Sequence, residues 1–340
     1  MSKNKVAIAL SGGVDSAVSA FLLKKQGYEV YGFYLNLLSD EEKLNKVKKI
    51  ADFLNIPLEI VDAQDEFREK VINYFLSEYL SGKTPNPCVI CNSEIKINFL
   101  IKIMGKMGIN KFATGHYADI TEFLGQYYIK PASREKDKSQ DYFLAFLKNE
   151  QISKLIFPLR NLTKKEAIEI ALNEKIPVEL KESQDICFLN GKSYVDYIIE
   201  NTDYVPEPGI VEDTSGKFLG YHRGYVFYTI GQRKGLGISK PYPLYVVKID
   251  AKNNKIIVGS REEILKSYIR VKLRLWREGV REGEFFVRIR YKHSPTLSFV
   301  KIKDFTAEVH FNEAQFAPTP GQIAVFYSKD FRITGAGFIL

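Results

Sequence analysis

The first third of the chain alternates between short apolar runs and helical segments, and this alternation restricts the fold more than any other feature of the sequence. The runs "VAIAL" (6–10), "YEVYGFYL" (28–35), "LEIVD" (58–62) and "KFATG" (111–115) are rich in residues that favour β-strands. Between them, residues 16–26 are apolar almost all round, and residues 41–54 place Leu44, Val47, Ile50, Ala51 and Leu54 on one stripe of a helix. This order predicts a parallel α/β sheet with right-handed crossovers, whose ligands bind beyond the carboxyl ends of the strands.

The remainder of the chain has a different texture. "NLTKKEAIEIAL" starts a further helix with a capping box formed by Thr163 and Glu166. After about residue 205 the sequence is rich in Pro and Gly, and strand-like runs follow: "YPLYVVKID", "KIIVGS", "VKLRLW", "FFVRIRY", "SFVKIK", "AEVHF" and "IAVFY". We therefore predict an α/β domain over 1–200, a small linking module over 201–262 and a C-terminal β-barrel over 263–340.

Composition and the lack of a targeting signal argue against a membrane-spanning protein and against a secreted, disulfide-bonded one. No apolar run reaches membrane-spanning length, and the start "MSKNKVAIALSGG" lacks the apolar core and cleavage site of a signal peptide. The odd count of three cysteines, without a secretory signal, argues against a disulfide framework. We expect a cytoplasmic protein with no membrane association. The net charge of +8 favours polyanionic partners such as nucleic acids.

A glycine loop separates the first strand from the first helix. The segment "ALSGGVDSAVSAFLL" places Ser11, Gly12, Gly13, Val14, Asp15 and Ser16 at this junction. Backbone N–H groups at a helix N-terminus, with glycines that permit close approach, form an anion-binding cradle. The loop matches neither the G-x-x-x-x-G-K-[ST] nor the G-x-G-x-x-G pattern. The alternative is a tight turn in which Asp15 or Ser16 caps the helix.

Two of the three cysteines lie three positions apart in "TPNPCVICNSEIK", as Cys88 and Cys91, and the third is Cys187. Three interpretations compete. Structural zinc requires four ligands, which the thiols and one of His116, His222, His293 or His310 would supply. A thioredoxin-like redox pair has no support from the strand order. Sulfur transfer would use one thiolate as a persulfide carrier and another to complete the transfer. Spacing alone favours the metal.

Two resemblances change this balance. "SGGVDS" after the first strand resembles the PP-loop of N-type ATP pyrophosphatases, which holds the pyrophosphate of ATP and yields an adenylated substrate. "TPNPCVICNSEIK", "ATGHYAD", "KSQDYFL", "ESQDICFL" and "YTIGQRKGLGI" follow one another in an order that resembles the tRNA-specific 2-thiouridylase family over essentially the full chain. Members of that family adenylate the C2 oxygen of the wobble uridine of tRNA and replace it with sulfur from a protein persulfide.

The resemblance implies a set of functional residues. It makes Cys91 the catalytic thiol and Cys187 the residue that bears the persulfide, which a sulfur-donor protein supplies. It assigns ATP binding to Ala9, Leu10, Ser11, Gly12, Gly13, Val14, Asp15, Ser16, Leu35 and Gly115, with Mg²⁺ on the phosphates beside Asp15. It assigns the target base to Asn86, Pro87 and Cys88, and other tRNA contacts to His116, Lys138, Ser139, Gln140, Arg290, Tyr291 and Gln322.

The sequence departs from the family pattern at two places. Cys88 stands where the commonly described members have an Asp proposed as acid–base support, so that role is vacant or altered. Three cysteines also match a [4Fe–4S] cluster at Cys88, Cys91 and Cys187 with one open iron site, and this alternative stands beside the persulfide relay. "KSQD" replaces the usual "KDQS", which changes the expected tRNA contact at Ser139.

A basic segment of the C-terminal domain is the candidate RNA surface. Residues 271–303 carry nine Lys/Arg against three Glu, and Arg288 and Arg290 alternate with apolar residues along one strand face. Such a face binds phosphates, and Tyr291 is placed to stack on a base. The residues alone favour a solvated sheet face, whereas the resemblance favours RNA.

The chemistry requires the target base to leave its stack and enter a pocket on which loops 82–92 and 181–190 converge.

Two other functions are consistent with parts of the sequence. A PP-loop ligase or amidotransferase acting on a small metabolite would use "SGGVDS" but leave the cysteines and the basic domain without a role. A non-catalytic RNA-binding protein would leave the complete glycine loop without a role.

Overall fold

The computed structural model describes residues 4–135, 138–180, 186–238 and 240–340. The chain divides into two compact units, and each unit is made of three segments that are separate in the sequence. The first comprises Met1–Val71, Cys88–Gln184 and Phe331–Ile333, and the second comprises Ile72–Pro87, Asp185–Asp330 and Thr334–Leu340.

The elements of the first half of the chain follow the predicted alternation. In chain order they are β1 (Lys5–Ala9), α1 (Val14–Lys25), β2 (Glu29–Asn36), α2 (Glu41–Phe53), β3 (Leu58–Asp62), α3 (Gln64–Phe67), α4 (Asn73–Leu80), α5 (Pro87–Ile90), α6 (Ile97–Lys106), β4 (Lys111–Ala113), β5 (Ala118–Phe123), β6 (Gln126–Pro131), α7 (Asn149–Ile152), β7 (Leu155–Ile156) and α8 (Lys164–Asn173). Two π-helical segments, Arg68–Ile72 and Cys91–Lys96, join α3 to α4 and α5 to α6, and Asp141–Leu144 is a 3₁₀ turn.

The first unit is built on a parallel sheet of five strands in the order β3-β2-β1-β4-β7. Its central strand β1 is buried because helices cover the sheet: Val6 and Ile8 have no exposed surface and pack in one core cluster with α1, α2 and α8. The predicted capping box opens α8, where the Thr163 hydroxyl accepts from the Glu166 N–H and the Glu166 carboxylate accepts from the Thr163 N–H. The predicted parallel α/β domain is confirmed.

Two details of this unit differ from the prediction. "LEIVD" forms β3, but β3 is an edge strand, and Ile60 is 47% exposed. A strand with only one neighbour need not be covered on both faces, so its apolar run does not indicate full burial. The hairpin β5–β6 was not predicted, because polar and charged residues in "ADITEF" hide its alternation.

The second half of the chain is mostly β-structure. Its elements are α9 (Tyr194–Asn201), β8 (Gly209–Asp213), β9 (Phe218–His222), β10 (Tyr245–Asp250), β11 (Lys255–Gly259), α10 (Arg261–Ile264), β12 (Leu265–Trp276), β13 (Glu282–Arg288), β14 (Thr296–Lys303), β15 (Thr306–Phe316), β16 (Ile323–Tyr327) and β17 (Ile333–Ile339), with 3₁₀ turns at Cys187–Leu189 and Tyr225–Phe227. Over the described residues, no helix has both the length and the apolar character to cross a membrane.

Two β-structures form in this half. A four-stranded sheet has the order β10-β11-β8-β9, and β12-β15-β14-β13-β16-β17 close into a barrel. The barrel closes because alternate side chains point inward, as in β14, where Ser298, Val300 and Ile302 are buried and their neighbours are exposed. The predicted α/β domain, linking module and C-terminal barrel are therefore the observed fold class. The domain boundaries at 200 and 262 stay predictions.

The closing strand β17 was missed in the sequence because "ITGAGFI" contains two glycines. Glycine normally weakens a strand. Here a Cβ added to Gly337 would lie 2.3 Å from the Lys272 carbonyl oxygen, and one added to Gly335 would lie 2.4 Å from the Trp276 ring. The close approach of β17 to β12 requires the glycines, so the feature that hides the strand from pattern analysis is the one that closes the barrel.

Candidate active site

The glycine loop is a tight turn between β1 and α1. Leu10 N–H donates to the Phe33 carbonyl at 2.8 Å, the Ser11 N–H donates to the Ser16 hydroxyl at 3.2 Å, and that hydroxyl donates to the Gly13 carbonyl at 3.0 Å. Ser11 and Gly13 are exposed, whereas Ser16 is buried. The helix-capping alternative is wrong, because the N-cap residue is Gly13 and the Ser16 hydroxyl is used inside the loop.

The other predicted ATP-binding residues lie at the same edge of the sheet. Ala9 ends β1 and is half-buried, and Leu10 and Val14 are buried in the core. Leu35 is half-buried near the carboxyl end of β2, which pairs directly with β1. The edge that carries the loop is therefore the carboxyl edge at which parallel sheets bind ligands.

Asp15 is held by two residues that are distant in sequence. Both of its carboxylate oxygens lie 2.8 Å from the Lys164 ammonium, and Oδ1 accepts a hydrogen bond from the Tyr117 hydroxyl at 2.9 Å. The Lys164 side chain is only 13% exposed, and that of Asp15 is 30% exposed. The carboxylate is therefore fixed at the loop beside a largely buried cation.

Gly115 lies against the back of this loop. A Cβ added to it would be 2.8 Å from both the Asp15 carbonyl carbon and the Ser16 nitrogen, so the loop would have to shift to admit any side chain. Its backbone does not have the positive φ that favours glycine. Close packing of the segment after β4 onto the loop is thus the reason that this position is glycine.

His116 follows Gly115 and is half-buried, with Nδ1 2.9 Å from the Thr114 hydroxyl. Burial, with a smaller contribution from the Lys96 ammonium, lowers the pKa of His116 to about 3. The imidazole is therefore neutral at neutral pH, because its protonated form is strongly disfavoured in the folded protein. A contact of His116 with RNA would rest on hydrogen bonding or stacking and not on charge.

The segment 138–140 supports the chain beside His116. Gln140 N–H donates to the Tyr117 carbonyl at 2.7 Å, and its side-chain oxygen accepts from the Tyr117 N–H at 3.0 Å. Ser139 is buried and donates to Asp141 at 2.6 Å. Lys138 is exposed. Of these three predicted tRNA contacts, Lys138 presents its side chain to solvent, while Ser139 and Gln140 make contacts that position the site.

Cys88 and Cys91 lie one helical turn apart. α5 contains Cys88 and runs directly into the π-helical segment that begins at Cys91. Cys88 is half-buried and Cys91 is 4% exposed. The segment after Cys91 is fixed, because the Asn92 amide donates to the Phe143 carbonyl at 3.1 Å. Cys91 is thus a protected thiol on a rigid helical segment.

The loop before α5 is held from the barrel side of the second unit. The Gln322 amide donates to the carbonyl oxygens of Thr84 and Pro85, at 2.8 and 3.3 Å, and is buried there. This predicted tRNA contact therefore also positions the chain immediately before Asn86, which is half-buried, and Pro87, which is buried.

Cys187 is exposed at the start of a 3₁₀ turn. The next residue, Phe188, is buried and packs its ring 5.0 Å from that of Phe75 and 5.1 Å from that of Tyr197. The exposed thiol thus lies on a firmly anchored turn. Residues 182–185 of the "ESQDICFL" motif lie outside the described residues, so the convergence of loops 82–92 and 181–190 stays a prediction.

The three cysteines are unbridged thiols. Within the part of the chain that the structure describes, no group of three or more His, Cys, Asp or Glu side chains is arranged to hold a metal ion. Cys91 belongs to the first compact unit and Cys187 to the second.

The predicted RNA strand is shorter than expected. β13 ends at Arg288, and the chain then turns, with the His293 N–H donating to the Arg290 carbonyl at 3.0 Å. The Arg290 guanidinium donates to the Ala317 carbonyl at 3.3 Å and to the Thr319 hydroxyl. Arg288 lies over the Tyr291 ring at 5.3 Å. Arg290 and Tyr291 are both half-buried, so each keeps an exposed edge.

Lys164 and Tyr117 are the functional candidates that sequence reasoning missed. The capping box marked the start of α8, where Lys164 is the first helical residue, but no local pattern connects it with Asp15, 149 positions away. Lys164 and Asp15 come together because α8 packs near α1 in the fold.

Three family models together match most of the chain. A family model described as "tRNA methyl transferase HUP domain" matches residues 4–191, more than half of the chain. Models described as "tRNA methyl transferase PRC-barrel domain" and "Aminomethyltransferase beta-barrel domain" match residues 198–260 and 267–339.

Several full-length relatives are named as 2-thiouridylases. A protein of Helicobacter acinonychis named tRNA-specific 2-thiouridylase MnmA is 41% identical and covers 99% of this chain and 100% of the relative. A protein of the same name from Persephonella marina is 40% identical, and the match covers 99% of this chain and 100% of the relative. The tRNA-specific 2-thiouridylase MnmA 1 of Thermoanaerobacter pseudethanolicus is 39% identical, and the match covers 99% of this chain and 98% of the relative. The chain belongs to the tRNA-specific 2-thiouridylase family.

Proposed function

We propose that this protein is an ATP-dependent sulfurtransferase that converts the wobble uridine of tRNA to 2-thiouridine. The observation that carries the proposal is the match to 2-thiouridylases over the full length of both chains. The geometry of the glycine loop supports it, since an anion-binding turn at the carboxyl edge of the sheet is the part that adenylation requires. The family implies that ATP is used.

The loop and its neighbours have different roles in binding ATP. The Ser11–Ser16 turn offers backbone N–H groups to the phosphates, and Lys164 is the largely buried cation beside them. Asp15 supplies carboxylate oxygens, the ligands that Mg²⁺ prefers, so the residues present fit this ion. When bound, Mg²⁺ neutralises phosphate charge. In its absence, Lys164 and Tyr117 hold Asp15 in position.

The reaction has two halves. In the first, the C2 oxygen of uridine attacks the α-phosphorus of ATP and pyrophosphate leaves. In the second, the outer sulfur of a Cys187 persulfide attacks C2, AMP leaves with the former oxygen, and the Cys91 thiolate breaks the remaining S–S bond. The products are 2-thiouridine and a Cys91–Cys187 disulfide, which needs two electrons from a thiol reductant to begin another cycle. Activation is needed because a urea-like oxygen is a poor leaving group, whereas AMP is a good one.

The burial of the two thiols supports these roles. Cys187 is exposed, as a residue that accepts sulfur from a donor protein must be. Cys91 is nearly buried, as suits a thiol that acts only on a sulfur already delivered. The rest of the tRNA assignment, from His116 to Gln322, belongs to the same proposal.

The function is tested by measuring AMP and thionucleoside in reactions with ATP, Mg²⁺ and a persulfide donor, with and without tRNA. We expect both products to depend on tRNA and to form in equal amounts. AMP release that is indifferent to RNA would favour a PP-loop ligase acting on a small metabolite. Binding of tRNA with no AMP formation would favour a non-catalytic RNA-binding protein.

Variants of Cys88, together with metal analysis, distinguish the persulfide relay from the cluster alternative. Because the relay uses only Cys91 and Cys187, we expect Cys88→Ser and Cys88→Asp to retain thiolation within about threefold, and protein purified without oxygen to contain no stoichiometric iron. The measurements are iron, sulfide and zinc analysis and the rate of thionucleoside formation. About four iron atoms per chain, lost together with activity in Cys88→Ser, would replace the relay with a [4Fe–4S] mechanism.

A further inference from the structure

A long segment of the second unit contains no acidic residue. Between Asp213 and Asp250 the chain runs for 36 residues without Asp or Glu, although 41 acidic residues occur among the 340 of the whole sequence. The same segment carries six Lys/Arg: Lys217, Arg223, Arg233, Lys234, Lys240 and Lys248. Such a concentration of one sign of charge is the electrostatic signature of a polyanion-binding surface.

The centre of this segment, 229–238, is an ordered loop without helix or strand. The Gln232 side chain accepts from the Thr229 N–H at 3.1 Å and donates to the Lys234 carbonyl at 3.0 Å. Main-chain bonds of 2.9 Å join Gly231 and Gln232 to Val246. Ile230 and Leu236 anchor the loop in a core cluster. The loop is therefore held in one conformation before any ligand arrives.

This scaffold presents cations to solvent. Arg233, Lys234 and Lys240 are exposed, and none of them makes an ion pair with any residue that the structure describes. Residues 229–238 thus combine a hydrogen-bonded backbone with exposed side-chain charges that form no ion pair with a described residue. Lysines on a mobile surface would lack the first property, and lysines on an acid-rich surface would lack the second.

An aromatic ring lies beside these cations. Tyr242, between Pro241 and Pro243, is 52% exposed. Together with Arg233, Lys240 and Leu244, these residues line a surface depression of about 350 Å³. Cations for phosphates next to an exposed aromatic face are the two elements with which proteins bind unpaired nucleotides.

We propose that the loop 229–238 and the depression beside Tyr242 form an RNA-binding site, in which Arg233 and Lys234 contact backbone phosphates and the Tyr242 ring stacks on a nucleobase of the tRNA. This inference rests on the proposed function. It adds a binding surface in the central module to the tRNA contacts assigned to the α/β domain and the barrel.

The test is the salt dependence of tRNA binding by the full-length protein without ATP. Each phosphate contact contributes about 0.7 to 0.9 to the slope of log K against log salt concentration. We expect Arg233→Ala/Lys234→Ala to reduce the slope by about 1.5 and to weaken binding roughly tenfold near 0.1 M salt. The rate at saturating tRNA should be unchanged, with KM for tRNA raised.

Matched variants separate contact from general charge or folding effects. Lys48→Ala/Lys49→Ala removes two adjacent exposed cations from α2 and should leave the slope unchanged. Arg233→Lys/Lys234→Arg keeps the charge and should retain the wild-type slope. Tyr242→Phe should bind as the wild type, whereas Tyr242→Ala should lose about fivefold or more, as expected for one lost base–aromatic stack.

A wild-type slope in Arg233→Ala/Lys234→Ala, or an equal decrease in the Lys48/Lys49 control, would overturn the site. Either result would leave the proposed function intact, since thiolation would still be observed. A wild-type protein that neither binds nor thiolates tRNA would instead overturn the proposed function.

Discussion

Replacement of Cys187 or Cys91 by serine is expected to abolish 2-thiouridine formation, by at least about a thousandfold, and to leave pyrophosphate release from ATP in the presence of tRNA within a few-fold of wild type. The reason is that a hydroxyl carries no persulfide and does not cleave an S–S bond at neutral pH. In the proposed mechanism, adenylation uses the glycine loop and neither thiol. The measurement is pyrophosphate and thionucleoside in the same single-turnover reaction.

The two variants should differ in what accumulates. After incubation with a persulfide donor, Cys91→Ser is expected to retain a persulfide on Cys187, seen as the added mass of one sulfur atom on the peptide that contains it. Cys187→Ser should show no such peptide. Wild-type thiolation by either variant would contradict the assignment of its thiol, and loss of pyrophosphate release in both would show that the cysteines support the fold or the nucleotide site instead.

Gly115→Ala is expected to raise KM for ATP by ten- to a hundredfold, because overpacking of this kind costs about 1 to 3 kcal/mol. The added methyl group would lie 2.8 Å from the backbone of Asp15 and Ser16, so the loop must move to accommodate it. Movement of the loop would displace the N–H groups that we propose bind the phosphates, together with the Asp15 carboxylate that Lys164 holds. The measurement is tRNA-dependent pyrophosphate release across a range of ATP concentrations.

Gly105→Ala is the matched control. Gly105 lies inside α6, and nothing lies within 4 Å of a Cβ placed there. Alanine is favoured over glycine in a helix by about 0.5 to 1 kcal/mol, so this variant should be slightly stabilised and should keep its KM for ATP. Equal KM values for ATP in the two variants would contradict the role assigned to the packing of Gly115.

The sequence predicted the architecture well where one pattern determines one element. Alternating strand and helix patterns gave the parallel sheet, and the capping box located the start of α8. The pattern failed at β17, where Gly335 and Gly337 serve an approach between strands that are distant along the chain. It also failed at the end of β13, since Arg290 continues the alternation although the strand has ended at Arg288.

Only the local parts of the candidate site could be proposed from the sequence, and their roles stay predictions. The glycine loop could be identified because its residues are consecutive and its geometry is set by two glycines and the helix that follows. The positions of Lys164 and Tyr117 around Asp15 could not, because they depend on how α8 and the segment after β4 pack near the loop. The supporting roles of Gln140 and Gln322 were hidden for the same reason, since each bonds to a main chain far along the sequence.

The measurement that tests the central claim most directly follows the oxygen of the target base. A tRNA labelled with ¹⁸O at C2 of the wobble uridine is thiolated in a single turnover with unlabelled ATP, and the mass of the AMP is determined. If the oxygen is adenylated and then displaced by sulfur, one ¹⁸O atom appears in AMP for each 2-thiouridine formed. Thiolated tRNA together with unlabelled AMP would contradict the mechanism.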